Sequence, residues 1–469
     1  MPPVPICVSL TPRRVEDIFA ADIAGADCVE ARLDYLEDPE ESMNTRWDEL
    51  GIPLIAACRG RDRGGMFEGS IDDELRILGR AAANGARFVD VDYRFARPFD
   101  GASVIGSFHS FGNTPADLET LMESICQKRI SMAKVATMVN TWDDNRRLLE
   151  LLGRRWSKPV VVIGMGDMGQ ITRIVGPLRG SALIYASSGC ASAPGQLSLR
   201  ELRQTYRLGK LSGAARLIGV IGRPLGHSRS PELHNRAFEA LGLDYVYVKL
   251  PVEDLDDFFA NARRIGIESF SVTIPHKVEV MGRLDRLTPD AELAGAVNTV
   301  FLQDGLWVGD NTDVHGIRKA LSGVDIAGKR VVILGTGGAA RAAVTALDES
   351  CSITVLSRQA EPGIAQWSRE VRVDRFDKVA DYNCELLINA TPVGMAPDED
   401  GCPIRGTIGA EAVFDMVYNP SETRLLKAAA EQGKVAIPGT RMFLAQAARQ
   451  FEIWTGRAAP AEVFERTLS

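Results

Sequence analysis

Residues 329–347 read KRVVILGTGGAARAAVTAL. This stretch joins a short run of β-branched apolar residues to a glycine-rich turn and then to a segment with helical periodicity. Glycines at such a turn allow a tight bend and let a pyrophosphate approach the N-terminus of the following helix. An ordinary strand-to-helix turn can carry a similar glycine pattern. The stretch predicts a parallel α/β domain with a candidate dinucleotide site.

The next apolar run, SITVLSRQ at residues 352–359, ends in Ser357 and Arg358 rather than in an acid. An acidic residue at the end of this strand would bind the ribose 2′-hydroxyl of NAD, whereas an arginine accommodates the 2′-phosphate of NADP. An arginine that is simply exposed to solvent is the alternative. The pattern favours NADP as the cofactor.

The whole chain has 469 residues, which is enough for two to four domains of roughly 100–200 residues each. Hydrophobic residues make up 45% and charged residues 25%, which is typical of a folded globular protein and excludes a disordered, collagen-like or coiled-coil chain. The formal net charge is −8 and no lysine- or arginine-rich run occurs, so we expect no nucleic-acid partner.

No segment has the pattern of a membrane span or of a targeting peptide. The longest apolar runs are too short to cross a bilayer, and the first residues lack the charged and apolar regions of a signal peptide. We therefore expect a cytoplasmic protein with no membrane partner. The eight cysteines include no CxxC pair, and with only five histidines we expect neither disulfides nor a metal site.

Residues 1–210 contain eight short apolar runs, most of them separated by segments of helical periodicity. The runs occupy residues 4–10, 27–33, 53–59, 87–93, 103–109, 130–136, 159–166 and 181–187. Strand followed by helix, eight times, predicts a (β/α)8 barrel. The fourth and fifth runs are too close for a full helix between them, so we expect an irregular barrel there. An open doubly wound sheet is the alternative, but no glycine-rich dinucleotide turn follows the first run.

A change in composition divides the chain. The segment at 191–198 is rich in turn residues and a fresh apolar run occupies 217–222, which places a domain boundary near 212–216. We predict an α/β protein with a (β/α)8 barrel over 1–212 and a two-lobed α/β part after it. One lobe covers 216–325, with a C-terminal helix at 441–469 returning to it. The other, over 326–440, is a Rossmann-like dinucleotide-binding domain.

The chemistry of such a barrel lies at the carboxyl ends of its strands. The polar residues there are Glu30, Arg32, Arg59, Asp90, Asp92, His109 and Lys134. Because burying a charged lysine is costly, Lys134 in ISMAKVATM is a candidate for an uncharged, nucleophilic amine. A lysine that reaches the rim or pairs with an acid is the alternative. His109 is suited to move protons for a Schiff base, and Arg32, Arg59 and Arg173 are suited to bind a carboxylate.

Six motifs of this half, in order and at family-like spacing, resemble the type I 3-dehydroquinate dehydratases. They are VEARLD (29–34), CRGRDRGG (58–65), GSFHSF (106–111), AKVATM (133–138), GQITR (169–173) and SAPGQLS (192–198). The resemblance implies that Lys134 forms an imine with the C3 ketone of 3-dehydroquinate. It also implies that His109 moves the C2 proton to the leaving C1 hydroxyl, giving 3-dehydroshikimate without a cofactor. The implied substrate-binding residues are Glu30, Arg32, Arg59, Arg173, Ser192 and Gln196. The alternative, a class I aldolase, would lack the SAPGQ segment.

The chain departs from this family at Arg63, where the family usually carries a glutamate before two glycines. In the family, that glutamate is thought to orient the histidine. The departure implies either that another acid replaces it, with Glu68 as the candidate, or that turnover is altered.

Seven motifs of the second half resemble the shikimate dehydrogenases; outside any family, such polar segments would be loops and helix caps. They are GRPLGHSRSPELHNRAF (222–238), FSVTIPHK (270–277), AGAVNTV (294–300), GDNTDVHG (309–316), LLINATPVGM (386–395), DMVYNPSETRLL (415–426) and GTRMFLAQAARQFEIWTG (439–456). The resemblance implies that Lys277 and Asp313 form the catalytic pair, which exchanges a proton with the C3 oxygen as hydride moves to or from NADP.

The same resemblance implies two further groups of residues. The substrate would be bound by Ser228, Ser230, Thr273, Asn298, Tyr418 and Gln446. The cofactor site would be lined by Gly335, Gly337, Gly338, Ala339, Ser357, Arg358, Asn389, Thr391 and Gly439. Two departures are mild: Ser271 stands where many members have asparagine, and Ser-Arg-Gln at 357–359 replaces the commoner Asn-Arg-Thr.

Together the two resemblances imply a fused enzyme of the shikimate pathway that performs two consecutive steps on small-molecule substrates. One alternative is a ligand-sensing regulator that has lost turnover, and Arg63 is the residue in its favour. Another is an NAD-dependent quinate or shikimate dehydrogenase, which would prefer an acid at the position of Arg358. The sequence leaves open whether the protein is a homo-oligomer.

Overall fold

A computed structural model describes residues 4–189, 192–226, 228–358 and 367–468 of the chain. Its internal contacts divide the chain into two compact units. The first comprises Met1–Leu217 with Asp244–Ile267, and the second comprises Ile218–Leu243 with Glu268–Ser469.

The first unit contains an eight-stranded parallel sheet that curls into a nearly closed barrel. Its strands are β1 (Ile6–Leu10), β2 (Cys28–Arg32), β3 (Leu54–Ala57), β4 (Phe88–Asp92), β5 (Ser103–Ser110), β6 (Met132–Met138), β7 (Val160–Met165) and β8 (Ile184–Ser187). Their order is β7-β6-β5-β4-β3-β2-β1-β8, so the last strand pairs with the first. Beside β7 and β8, the Ala182 N–H donates to the Val160 carbonyl at 2.8 Å. The predicted barrel is confirmed.

The barrel helices are fewer than the strands. They are α1 (Val15–Phe19), α2 (Ile71–Ala83), α3 (Leu118–Cys126), α4 (Trp142–Leu152) and α5 (Gln170–Val175), with a π-helical turn at Glu201–Thr205. The expected irregularity is present, since only a 3-10 turn at Tyr93–Phe95 joins β4 to β5. The prediction that a helix follows each strand was wrong after β2. Three 3-10 turns follow it instead, in an acidic segment that Pro39 interrupts.

A second, mixed sheet has the strand order β10-β9-β11-β13-β14-β12. Its strands are β9 (Arg216–Gly222), β10 (Tyr245–Pro251), β11 (Ile267–Val272), β12 (Arg286–Leu287), β13 (Thr299–Gln303) and β14 (Leu306–Asp310). The helices along this stretch are α6 (Ser230–Ala240), α7 (Leu255–Ile265), α8 (Pro289–Ala294) and α9 (Thr312–Ala320). Pairs β11/β13 and β13/β14 are antiparallel.

The third sheet is parallel and has the order β17-β16-β15-β18-β19-β20. Its strands are β15 (Arg330–Leu334), β16 (Ser352–Ser357), β17 (Arg372–Arg375), β18 (Cys384–Asn389), β19 (Ala410–Asp415) and β20 (Val435–Pro438). Its helices are α10 (Gly338–Ala346) and α11 (Arg424–Glu431), and α12 (Gly439–Thr455) and α13 (Ala461–Leu468) end the chain. The strand order reverses beside β15, which is where Rossmann-like sheets bind dinucleotides. This confirms the predicted Rossmann-like fold.

The C-terminal segment predicted as one helix forms two. Gly456 ends α12 with a φ of +67°, a left-handed conformation that glycine adopts without strain. Helix α12 packs against α9, and α13 packs against α6.

Candidate active sites

Lys134 lies on β6 with its side chain inside the barrel and only 3% exposed. Its Nζ is 2.8 Å from Asp90 Oδ2 and 3.3 Å from Glu30 Oε1. The ring of Tyr185 lies 3.8 Å from Nζ, measured to the ring centroid. Lys134 thus pairs with acids, which is the alternative that the sequence analysis gave to an uncharged amine. It lies at the centre of a polar cluster.

The acids beside Lys134 are held as carboxylates. Burial would raise the pKa values of Asp90 and Glu30, but the positive charges of Lys134 and Arg59 outweigh it, and both pKa values lie below their usual range. Arg59 Nη2 is 3.0 Å from Asp90 Oδ2. Burial opposes the charge of Arg59, yet Asp90 and Glu30 raise its pKa. Ser107 Oγ donates to the other oxygen of Asp90 at 2.6 Å.

His109 lies on β5, two residues after Ser107 and on the same side of the strand. Burial, followed by the charges of Arg59 and Lys134, lowers the pKa of His109 well below its usual value. Its ring lies parallel to that of Phe111, with ring centroids 6.2 Å apart. Neither ring nitrogen has a hydrogen-bond partner among the described residues. The imidazole is therefore neutral and available to accept a proton.

The three arginines expected to bind a carboxylate differ in their partners. Arg32 makes two hydrogen bonds to Asp34, at 2.9 and 2.7 Å, and Arg59 pairs with Asp90. Arg173 is 3% exposed and has no acidic partner in the part of the chain that the structure describes. Burial lowers its pKa to about 10. Arg173 is therefore the arginine whose charge a bound anion would neutralise.

Ser192 and Gln196 are connected to the lysine cluster by hydrogen bonds. Gln196 Oε1 accepts from the Ser192 N–H at 2.7 Å, and Ser192 Oγ donates to Ser9 Oγ at 2.9 Å. Ser9 Oγ donates in turn to Glu30 Oε2 at 2.7 Å. This chain of contacts brings both residues beside the barrel site, as predicted from the motif order.

The structure does not support Glu68 as a replacement for the family glutamate. Glu68 is exposed and pairs with Arg61. Arg63 contacts the buried carboxylate of Glu74 and pairs with Asp62 at 2.8 Å. Both side chains of that ion pair are exposed to solvent, so Glu68 is not directed into the barrel site.

Three residues of the barrel site were missed or given no role in the sequence analysis: Ser9, Asp90 and Tyr185. Asp90 was recognised only as a strand end. The alternation of side chains along each strand shows which residues share a face. The structure adds which residues of neighbouring strands lie opposite each other: Ser9 is in register with Glu30, and Ser107 is in register with Lys134.

The second unit brings Lys277 and Asp313 together. Lys277 Nζ is 2.5 Å from Asp313 Oδ2, and Asp313 lies in the first turn of α9. Asn298 Nδ2 donates to the other oxygen of Asp313 at 2.8 Å. Gln446 Oε1 accepts from Thr312 Oγ1 at 3.4 Å and lies 3.5 Å from Asn298 Nδ2. The pair thus lies in a network of amides and hydroxyls.

The remaining substrate-binding candidates lie at the ends of nearby elements. Ser228 precedes α6 and Ser230 is its first residue; their neighbour His227 lies outside the described residues. Thr273 follows β11, and its N–H donates to the Ile221 carbonyl of β9 at 2.9 Å. The ring of Tyr418 stacks on Phe443, with centroids 4.0 Å apart, and burial raises the Tyr418 pKa to about 12.

The predicted glycine-rich turn joins β15 to α10. Gly335 has a φ of +103°, and a side chain at Gly337, which precedes α10, would meet no atom within 4 Å. A Cβ at Gly338 would lie 3.0 Å from Lys277 Cβ, so the start of α10 packs against the catalytic candidate. Ala339 follows in the first turn of α10. These are the features that a pyrophosphate site requires: an open turn and free N–H groups at a helix start.

The other cofactor candidates differ in exposure. Ser357 is buried at the end of β16, and Arg358 after it is exposed with no ion-pair partner among the described residues; Gln359 lies outside them. The Asn389 side chain is fully buried, and its Oδ1 accepts from the Thr391 N–H at 3.1 Å and from Thr391 Oγ1 at 2.7 Å. A Cβ at Gly439 would overlap the Val417 carbonyl. Asn389 therefore shapes the site by hydrogen bonds within the protein.

Across the described ranges, no group of three His, Cys, Asp or Glu side chains is placed to hold a metal ion. The seven described cysteines are free thiols. None of the described helices is long and apolar enough to span a membrane.

Three family models match separate parts of the chain. The model of the type I 3-dehydroquinase family matches residues 4–212. The shikimate dehydrogenase substrate binding domain matches residues 220–300, and the shikimate 5′-dehydrogenase C-terminal domain matches residues 439–468.

Among curated relatives, the chloroplastic bifunctional 3-dehydroquinate dehydratase/shikimate dehydrogenase of Arabidopsis thaliana is 32% identical, with 99% of this chain and 83% of the relative covered. The shikimate dehydrogenase (NADP(+)) of Methanobrevibacter smithii is 41% identical over 55% of this chain and 98% of its own. Shikimate dehydrogenase 1 from Peptoclostridium difficile is a similar solved structure, with a TM-score of 0.51, 30% identity, and 54% of this chain and 96% of that chain covered.

A barrel with a buried lysine and a Rossmann-like dehydrogenase together define the class of protein as a two-enzyme chain, a lyase followed by an oxidoreductase. The chain belongs to the family of bifunctional 3-dehydroquinate dehydratase/shikimate dehydrogenases.

Proposed function

We propose that the chain catalyses two consecutive reactions: dehydration of 3-dehydroquinate to 3-dehydroshikimate, and reversible NADPH-dependent reduction of 3-dehydroshikimate to shikimate. The observation that carries the proposal is the buried Lys134, with Asp90, Glu30 and His109 around it and an arginine, Arg173, that has no acidic partner among the described residues. The full-length relationship to a bifunctional enzyme supports both halves.

In the dehydratase half, the Lys134 amine adds to the C3 ketone and water leaves, which forms an imine. His109 accepts the C2 proton while the electron pair moves into the imine. The proton then passes to the C1 hydroxyl, which departs as water, and hydrolysis of the imine releases the product. Asp90 and Glu30 stabilise the positive charge of the protonated imine. Arg173 binds the substrate carboxylate.

In the dehydrogenase half, NADPH supplies a hydride when it is bound. Gly335 and Gly337 leave room for the pyrophosphate, and Arg358 is suited to the 2′-phosphate. Lys277 and Asp313 donate a proton to the C3 oxygen as the ketone becomes a hydroxyl, and accept it in the reverse direction. Asn298 orients Asp313 for this exchange.

We assign the remaining candidates to supporting roles in the same sites. Glu30, Arg32, Arg59, Ser192 and Gln196 contact the first substrate or position the residues that do, and Ser228, Ser230, Thr273, Tyr418 and Gln446 do so for the second. We place the domain boundaries at 1–212, 216–325 with 441–469, and 326–440, and the protein in the cytoplasm. A sensor without turnover has less support, because Lys134, His109 and both groups of the dehydrogenase pair are present.

The experiment supplies 3-dehydroquinate and NADPH together and follows the enone absorbance of 3-dehydroshikimate and the loss of NADPH. We expect the enone to rise first and NADPH to fall as shikimate forms. A matched reaction with NADH should be slower, since Arg358 has no phosphate to bind. Absence of both signals from folded protein would favour a sensor.

A further inference from the structure

A buried carboxylate outside the proposed catalytic pairs lies at the edge of the dinucleotide site. Asp415 ends β19, is 0% exposed, and lies in register with Asn389 at the end of β18. Its carboxylate accepts three hydrogen bonds: from Asn389 Nδ2 at 2.9 Å, from the Val417 N–H at 3.1 Å and from Thr423 Oγ1 at 2.6 Å. No cation pairs with it in the described ranges. Burying a carboxylate among neutral hydrogen-bond donors alone is unfavourable in free energy. This indicates that Asp415 serves to position the groups that it contacts.

The contact with Asp415 decides how the Asn389 amide is oriented. A carboxylate accepts hydrogen bonds, so Nδ2 of Asn389 must face it and Oδ1 must point the other way. Oδ1 then accepts from both the N–H and the Oγ1 of Thr391. If the amide turned over, its oxygen would face the carboxylate and its nitrogen would face the Thr391 N–H, so the bond from that N–H would be lost. Asp415 thereby stabilises the conformation of residues 389–391, together with the Val393 carbonyl, to which Nδ2 also donates at 3.4 Å.

Residues 389–391 pack directly against the glycine-rich turn. A Cβ at Gly335 would lie 3.1 Å from Thr391 Cγ2 and 3.3 Å from the Ala390 carbonyl oxygen. On its other side Asp415 adjoins the start of α12, because a Cβ at Gly439 would lie 2.7 Å from the Asp415 carbonyl oxygen. Asp415 therefore adjoins two segments of the proposed cofactor site directly, and residues 389–391 connect it to the third, the glycine-rich turn.

Asp415 also has a contact that serves only local structure. Thr423, which donates to it, is the N-cap of α11 and accepts from the Leu426 N–H at 3.3 Å. Removal of either contact of the carboxylate would lower stability. Only the contact with Asn389 leads to the glycine-rich turn, so the two roles can be separated by experiment.

We propose that Asp415 is a positioning residue for the dinucleotide, which holds residues 389–391 against the Gly335 turn through the Asn389 amide. The inference rests on the proposed NADP site. It predicts that the loss of this one carboxylate weakens nucleotide binding although Asp415 itself contacts no nucleotide.

The test is the affinity for NADP+, measured by isothermal titration calorimetry on the full chain. In Asp415→Ala no acceptor oxygen faces Asn389 Nδ2, and we expect the dissociation constant to rise by about tenfold or more. Thr423→Val is the matched control, since it removes a hydrogen bond from the same carboxylate and leaves Asn389 in place. Its dissociation constant should stay within about twofold of that of the unaltered chain, and the KM for shikimate should change little in either variant.

A double variant tests the contact itself. Asn389→Asp combined with Asp415→Asn restores one donor and one acceptor with their positions exchanged, whereas Asn389→Asp alone places two carboxylates together. We expect the double variant to bind NADP+ within about fivefold of the unaltered chain and more tightly than Asn389→Asp alone. If Asp415→Ala does not fold, the folded double variant tests the inference by the same fivefold limit.

Three outcomes would overturn the inference: affinity within twofold in folded Asp415→Ala, equal weakening in Thr423→Val, or a double variant that binds more weakly than the fivefold limit. Failure of the proposed function looks different, because the unaltered chain would then bind no NADP+ while its dehydratase activity showed that it was folded.

Discussion

At the scale of single residues, the barrel site shows how a lysine can be buried and still serve chemistry. The Nζ of Lys134 has two carboxylates within 3.3 Å, so its charge is balanced until substrate arrives. The ketone group of the substrate is uncharged and cannot form ion pairs with the two carboxylates. A protonated imine formed at Nζ keeps a positive charge beside them. The carboxylates therefore stabilise the covalent intermediate more than they do a neutral amine.

Trapping by borohydride tests the nucleophile. Reduction in the presence of 3-dehydroquinate should add the mass of the reduced substrate to the peptide that contains Lys134, because the imine becomes a stable amine. Lys134→Arg is the control, since it keeps a positive charge beside Asp90 and Glu30 but forms no imine. Mass spectrometry of the digested protein reports the site, and an adduct on another lysine would contradict the assignment.

The pH dependence of dehydration tests His109. The base must be neutral to accept the C2 proton, and its pKa is lowered by burial and by the charges of Arg59 and Lys134. Activity should therefore persist as the pH falls through about 6.5, the usual histidine value, and decline only at lower pH. The measurement is kcat/KM against pH, with the fold checked by circular dichroism. An acid limb centred at or above 6.5 would show that another group is the base.

At the scale of elements, the segment after β8 is held in place by a glycine. Gly195 has a φ of +70°, and a Cβ there would overlap the Gly166 carbonyl. The Gly166 N–H donates to the Pro194 carbonyl at 3.1 Å, so the segments around Gly166 and Gly195 are in contact at this point. Ser192 and Gln196 lie on either side of Gly195, and the contact of Ser192 with Ser9 depends on that close approach.

Gly195→Ala should move this segment away from the barrel and lower kcat/KM for dehydration by about tenfold or more. Gly180→Ala is the control, because Gly180 also has a positive φ, +100°, but its Cβ would lie 4.0 Å from the nearest atom, the Leu152 carbonyl oxygen. We expect Gly180→Ala to lose about 1 kcal/mol of stability and little activity. Similar loss of activity in both variants would assign the effect to backbone strain alone.

The elements also show which parts of the fold sequence periodicity can predict. The eight strands and the glycine turn were predictable because side-chain alternation and turn chemistry are local. The missing helix after β2 was not, because segments of 3–5 residues such as Leu33–Tyr35 have no period to detect. The break in the C-terminal helix had a visible signal in Gly456, followed after three residues by Pro460.

At the scale of the whole molecule, one chain contains two reactions with separate catalytic groups. Lys134→Ala should lower dehydration by at least about 100-fold while reduction of supplied 3-dehydroshikimate continues. Asp313→Asn should do the reverse, with NADPH-dependent reduction lost and dehydration retained. In each variant, the activity that remains shows that the protein is folded.

A mixture of these two variants should convert 3-dehydroquinate to shikimate with NADPH, because hydrolysis of the imine releases the intermediate into solution. The measurement is shikimate formed over time against each variant alone. Loss of both activities in either single variant would contradict two independent sites.

The sequence by itself determined the order of strands and helices, the dinucleotide turn and the residue types that can perform each reaction, since these depend on neighbours within about ten residues. Only the tertiary structure decided which groups meet. Lys134 pairs with Asp90, 44 residues away, and with Glu30, 104 residues away. Within the described ranges Arg32 and Arg59 have acidic partners whereas Arg173 has none, and Asp415 contacts Asn389 from the neighbouring strand. Such contacts depend on how strands lie side by side and on which charges burial leaves without a partner, and no local pattern records either.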